Sequence, residues 1–302
     1  QHREFIEAHQ NRRGRRCDLE LVFGMTDWPR TMPALVTPFT ESGDLDLAAH
    51  ASNVATIVDR GARGILIGGS TGQGPYLEPG ERRDLARAAR AGAPDATIIC
   101  GVFGESVRQA VTQVEEATDG GADAVLVATP GSLVRARPDR IDAFYRDLAS
   151  AAGVPILLYT VPQVTGVELP TASIVDLAAE PGIVGVKDSG GDANRFRAMR
   201  DLLDAGFATY VGASKALLAA HANGAYGAIT ASANYALTEV SLAVRGDADA
   251  QRRLTALVGV VEPHGVAGTM AAAEASGLTV GIPRSPLAAV SAEIAAEIGD
   301  AL

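Results

Sequence analysis

Hydrophobic positions along this chain follow two alternating rhythms. Short, continuous apolar runs of strand length are followed by longer stretches with the 3–4-residue apolar period of a helix. The short runs are Pro33–Thr37, Gly64–Gly68, Thr97–Gly101, Ala124–Ala128, Pro155–Tyr159, Ile183–Lys187, Thr209–Gly212 and Gly227–Thr230. None alternates polar with apolar, which suits parallel strands buried on both faces. Their starts lie 31, 33, 27, 31, 28, 26 and 18 residues apart, the spacing of strand–helix–strand units. Asp46–Arg60, Glu81–Arg90, Glu105–Thr118, Asp139–Ala149, Ala172–Ala179, Asp192–Leu203 and Ser214–Ala222 read as the helices between them. Ser106, Asp139, Thr171 and Asp192 are the expected N-terminal caps. Asp44 and Asp46 read as turn and helix-start residues.

Eight such units point to an α/β fold, a (β/α)8 TIM barrel. A doubly wound sheet would need an edge and a switch point, and the repeat has no interruption to mark one. Tyr235–Val244, Ala248–Val261, Val266–Ala275 and Leu287–Ile298 read as further helices, the first closing the barrel. The expected organisation is a poorly ordered N-terminal extension over 1–24, the barrel over 25–246 and a C-terminal helical extension over 247–302. The first segment sets five arginines against four acidic residues. It is read as an extension rather than as a basic arm for a partner. Trp28 is expected to pack at the barrel bottom.

Composition narrows the function. The 302 residues are 47% hydrophobic and 21% charged, as in a globular protein. The net charge of −10 argues against tracking a nucleic-acid backbone or an anionic lipid surface, which need clustered cations. Cys17 and Cys100 lie in unrelated segments, so no disulfide framework is read. The five histidines have no metal-ligand spacing, and no metal is expected. No GxGxxG follows the first strand and no GxxxxGK[ST] occurs, so no nucleotide cradle is indicated. With no secretory pattern and no run of about 20 apolar residues, a cytoplasmic location is expected.

In a barrel, chemistry sits where strands end. After the second strand comes Gly68-Gly69-Ser70-Thr71-Gly72-Gln73-Gly74, whose glycines and hydroxyls suit a carboxylate; a tight turn without a ligand is the alternative. Strand five ends at Tyr159, a candidate for moving a proton, or else a core aromatic whose hydroxyl meets water. Strand six ends at Lys187. Of the 26 basic residues, 24 are arginine and only Lys187 and Lys215 are lysine. A lysine closing an apolar strand is costly unless paired or neutral, and the neutral amine is a nucleophile. The competing reading is a salt bridge to Asp188, Asp192 or Asp44. Lys215 opens an amphipathic stretch and reads as a solvated helix residue. His50, His221 and His264 fall on helical stretches and read as structural or solvated.

Together these residues resemble the dihydrodipicolinate synthase / N-acetylneuraminate lyase family of class I aldolases. The resemblance runs from about Pro33 to Leu287. ALVTPF (34–39), GGSTGQG (68–74), LLYTVPQVTG (157–166), GVKDSGG (185–191), YVGA (210–213) and GAITASANY (227–235) are similar to the family's strand ends, in order and at barrel spacing. The resemblance implies a Schiff base between Lys187 and C2 of pyruvate or another 2-oxo acid. It implies proton transfer by Tyr159 with Thr71 in the relay. Ser70, Thr71 and Gly72 would hold the carboxylate, with Ser189, Gly212 and Ile229 lining the pocket. It implies no metal and no organic cofactor, a 2-oxo acid and an aldehyde as partners, and a homotetramer.

Three departures shape the substrate expectation. Gln73 stands where many members have Glu. Val164 stands where dihydrodipicolinate synthases carry Arg, removing the partner of a second carboxylate. Thr129-Pro130-Gly131-Ser132 replaces the family's TPYY. GSTGQGPYL and GIPRSP (281–286) are most similar to the 2-keto-3-deoxy sugar-acid aldolases, which is the expected activity. Dihydrodipicolinate synthesis, dehydration through the same imine, and a non-catalytic barrel that binds a 2-oxo acid are the alternatives.

Overall fold

The computed structural model of the chain describes residues 28–137 and 139–302. The expected N-terminal extension over 1–24 and the first three residues of the expected barrel lie outside the described residues. Eight parallel strands form one sheet: β1 (Thr31–Pro33), β2 (Gly64–Ile67), β3 (Thr97–Val102), β4 (Ala124–Ala128), β5 (Ile156–Thr160), β6 (Ile183–Asp188), β7 (Ala208–Val211) and β8 (Gly227–Thr230). Their order is β1-β8-β7-β6-β5-β4-β3-β2, and a bridge from Ala34 to Leu66 completes the ring. This is the (β/α)8 barrel.

Because side chains alternate across a strand, the barrel has two cores. Inside the ring, Met32, Leu66, Ile99, Leu126, Leu157, Tyr159, Tyr210 and Ile229 form one cluster. Trp28 joins it just ahead of β1, as expected of a plug at the bottom. Outside, Ile65, Ile67, Ile98, Val125, Val127, Leu158 and Val186 pack against the surrounding helices. These include α1 (Leu47–Asp59), α2 (Glu81–Gly92), α3 (Val107–Asp119), α4 (Asp139–Ala152), α5 (Thr171–Leu177), α6 (Leu217–Ala222) and α7 (Leu237–Ala243). Three more, α8 (Ala248–Val261), α9 (Gly265–Ala275) and α10 (Ala292–Ala301), follow the barrel.

Several expected boundaries move, each for a local reason. Strand one is shorter and earlier than Pro33–Thr37. Ala34 N and Leu35 N still donate to Thr230 O and Leu66 O, but at Val36 the Asn234 side chain takes over, accepting from Val36 N at 3.1 Å and donating to Ala34 O at 2.7 Å. The expected helix over Asp192–Leu203 is broken into a helical turn, Arg195–Ala198, and a 3-10 turn, Arg200–Leu202. Asp192 turns its carboxylate onto Asn194 N at 2.9 Å, a local bond that competes with a helix start. Asp192 is therefore not a cap. Nor are Asp139 and Thr171, which are the first residues inside their helices; Asp139 pairs instead with Arg137. Ser106 and Asp46 do cap, accepting from Gln109 N and Ala49 N. The last helix begins at Ala292, capped by Ser291, rather than at Leu287.

Candidate active site

Lys187 reaches the barrel interior because of an irregularity. Along β5 and β6, Ile156 pairs with Ile183 but Leu157 pairs with Gly185, so Val184 is an extra residue. Ile183 faces the helices and Val184 the interior. Strict alternation from Ile183 would turn residue 187 outward. The bulge at Val184 resets the alternation: Val186 faces the helices, and Lys187 pairs with inward-facing Tyr159. The lysine is 4% exposed. Its Nζ lies 4.6 Å from the centroid of the Tyr159 ring.

None of the three proposed carboxylates takes the lysine. Asp188, next in the chain, faces the other way and pairs with Arg195 at 2.6 Å. Asp192 serves Asn194, and Asp44 accepts from Ser42 Oγ at 2.7 Å. Among the described residues, Lys187 has no acidic group within ion-pair distance. Lys215 behaves as a surface lysine: it is half exposed and pairs with Glu262 at 3.1 Å.

The other candidates gather around this pair. The Tyr159 hydroxyl is 3.2 Å from Ser70 Oγ. Ser70 opens a turn closed by Gln73 N donating to Ser70 O at 3.1 Å, with Thr71 and Gly72 at its centre. Gly72 presses on the chain leaving β1: its carbonyl accepts from Thr37 Oγ1 at 2.7 Å, and a Cβ there would lie 2.8 Å from Leu35 O. Across the ring, a Cβ on Gly212 would collide with Ser189 Oγ and stand 3.1 Å from Lys187 Cε. Ser189 and Gly212 therefore border the lysine side chain. Ile229 is fully buried in the interior cluster and pairs with Met32, one residue before the C-terminal end of β8. Thr71 is half-buried beside Ser70.

Five supporting residues were given no role in the sequence reading. Thr129 Oγ1 is 3.2 Å from the Tyr145 hydroxyl and donates to Tyr159 O at 3.1 Å, holding the tyrosine strand from β4. Burial pushes the Tyr145 phenol far above its ordinary range, so it stays a neutral hydrogen-bonding group. Arg195 donates to Asp188, Glu168 and Leu169 O, tying the loop after β5 to the end of β6. Glu105 accepts from Gly131 N and from Ser132 N and Oγ, shaping the loop that lacks the tyrosine pair. Arg135 donates to Gly131 O at 3.1 Å and lies against Gly166, which places a guanidinium beside the loop of Val164. An arginine spaced three residues beyond Ser132 was the available signal, hidden by the high arginine content.

Among the described residues, no group of three or more His, Cys, Asp or Glu could hold a metal ion. No helix there is long and apolar enough to cross a membrane.

Comparison with known proteins gives concordant results. The model of the dihydrodipicolinate synthetase family matches residues 27–302. A 4-hydroxy-tetrahydrodipicolinate synthase of Streptomyces coelicolor is 34% identical over 88% of this chain and 90% of its own length. A dihydrodipicolinate synthase of Acinetobacter baumannii, solved with pyruvate, superposes with a TM-score of 0.80 at 28% identity, covering 91% of this chain and 97% of that one. A 2-keto-3-deoxygluconate aldolase variant of Sulfolobus solfataricus has a TM-score of 0.80 over 90% of this chain and 94% of that one. At 19% identity that likeness speaks for the fold alone.

Proposed function

Since this chain belongs to the dihydrodipicolinate synthetase family, we propose that it is a pyruvate-dependent carbon–carbon lyase acting through an imine on Lys187. One observation carries the reading. The single buried lysine faces the barrel interior beside Tyr159, and the adjacent carboxylate is occupied by Arg195. No carboxylate ties up this amine, so its nitrogen is left to meet a carbonyl carbon in the barrel mouth.

In the cleavage direction, Nζ adds to C2 of a 4-hydroxy-2-oxo acid and water leaves. The protonated imine then accepts the electron pair of the C3–C4 bond. Tyr159 takes the C4 hydroxyl proton and passes it through Thr71, and the aldehyde departs. The enamine is protonated at C3, and water releases pyruvate and the free amine. Ser70, Thr71 and the amide of Gly72 hold the carboxylate throughout. Ser189, Gly212 and Ile229 shape the pocket. The imine itself is the electron sink, so the proposal needs no metal or organic cofactor.

The partner aldehyde of this proposal is an uncharged hydroxyaldehyde, the product of a 2-keto-3-deoxy sugar acid. Val164, 53% exposed, offers no charge where a second carboxylate would need one. A second reading, condensation with aspartate semialdehyde, is favoured by the names of the relatives at 30% identity and above. Arg135 leaves a cation beside the same loop, so a direct assay decides. Pyruvate release is measured from a panel of 2-oxo acids, alongside condensation with aspartate semialdehyde. The proposal includes a homotetramer in the cytoplasm. Sedimentation equilibrium tests the assembly, and a dimer or monomer would contradict it.

A further inference from the structure

The turn that presents Ser70 and Thr71 is held from outside the barrel. Gln73, its fourth residue, has φ of 56° and is the only non-glycine with positive φ among the described residues. Side chains rarely adopt that conformation unless their surroundings impose it. Here the imposing contact is buried. Gln73 is 2% exposed, its Oε1 accepts from Arg284 N at 2.8 Å, and its Nε2 faces Met270 Sδ at 3.7 Å. Both partners lie beyond the barrel, Met270 on α9 and Arg284 on the segment after it.

The Arg284 amide is itself fixed in place. Its guanidinium makes two bonds to Glu81, at 2.6 and 2.7 Å, and donates to Tyr76 O at 2.6 Å. It also donates to Gly43 O and lies 4.3 Å from the centroid of the Phe39 ring. The segment is thus anchored on the loops after β1 and β2 and on the first turn of α2. Burial opposes ionisation of Glu81, but its bonds to Arg284 and to the Glu78 amide outweigh this and hold its carboxyl below the usual range. At the other end of the same chain of contacts, Ser70 Oγ meets the Tyr159 hydroxyl.

We infer that Gln73 is the positioning residue of the carboxylate site, coupling the segment around Arg284 to the turn carrying Ser70 and Thr71. It touches no reacting atom. A buried amide without an acceptor is costly, so the Arg284 N–H and the Gln73 side chain set each other's place, and Gln73 sets the turn. The inference rests on the proposed function, which makes this turn the carboxylate cradle. It adds that the C-terminal extension is part of the site's framework, and that residue 73 must be an acceptor long enough to reach Arg284 N.

The test uses the full chain and borohydride trapping of pyruvate, following both the half-saturating pyruvate concentration and the trapping rate at saturation. Gln73→Met keeps the length and removes the acceptor. Gln73→Asn keeps the amide and cannot reach. Both should raise half-saturating pyruvate tenfold or more while the saturated rate falls no more than threefold, because Lys187 is untouched. Gln73→Glu keeps an acceptor of the right length and should restore half-saturation to within threefold. Unchanged half-saturation in both Met and Asn variants would overturn the inference. So would equal loss in the Glu variant, or saturated rates that fall in step with Tm. If the wild-type chain is not trapped at all, the proposed function fails first, and the two failures are told apart.

Discussion

Tyr159 and Lys187 are cross-strand partners in β5 and β6, with the lysine Nζ 4.6 Å from the phenol ring. The contact sets the amine beside the aromatic face, while the hydroxyl extends to Ser70. In the proposed mechanism imine formation and proton transfer fall to different atoms and can be separated. Tyr159→Phe keeps the ring and removes one oxygen. Pyruvate should still be trapped on Lys187, while turnover of a full 2-oxo-acid substrate should fall by roughly 10²–10⁴-fold, the weight of a positioned general acid–base. Near-normal turnover in single-substrate kinetics would take the tyrosine out of the mechanism.

Gly212 gives a steric test. One methyl there meets Ser189 Oγ and closes on Lys187 Cε. The residue ends at the strand mouth rather than in the packed core. Gly212→Ala should therefore keep a cooperative thermal transition and lose at least about tenfold in trapping rate, the cost of displacing reacting atoms by a fraction of an ångström. An unaltered rate would mean that the pocket does not pass between β6 and β7.

Much of this was legible in the chain. Continuous apolar runs at regular spacing carry the parallel barrel, since a strand covered on both faces cannot alternate. Lys187 stands out because lysine is rare and this one closes such a run. Its direction was not legible: the Val184 bulge exists only through pairing with β5, and one extra residue decides which way the lysine points. The end of strand one was not legible because the Asn234 side chain, about 200 residues away, takes the place of a strand partner at Val36. The role of Gln73 was hidden for the same reason, since its partner Arg284 is distant in sequence.

His50 supplies a pH dependence unrelated to catalysis. Both its ring nitrogens are buried without hydrogen-bond partners, and burial lowers its pKa from 6.5 to about 4. The unfolded chain therefore binds this proton first as pH falls. Stability should be complete above pH 6.5 and be lost progressively down to about pH 4, by up to about 3 kcal/mol from this group. Urea unfolding of wild type and His50→Leu at pH 7 and pH 4.5 measures the difference. The variant should lose less stability on acidification; parallel losses would exclude His50 as the source.

The proposed acceptor preference rests on the loop after Tyr159. With pyruvate in excess, glyceraldehyde should be consumed with a higher kcat/KM than aspartate semialdehyde, because Val164 provides no partner for the second carboxylate. Efficient formation of the dihydrodipicolinate precursor would reverse this ranking and assign the recognition to another cation, with Arg135 the first to be replaced.

The central claim is the covalent one, and peptide mapping after borohydride reduction in pyruvate tests it most directly. The account predicts a stable adduct on Lys187 and none on Lys215, and no adduct at all in Lys187→Arg, whose guanidinium cannot add to a ketone. An adduct on Lys215, or an unmodified wild-type chain at saturating pyruvate, would contradict it.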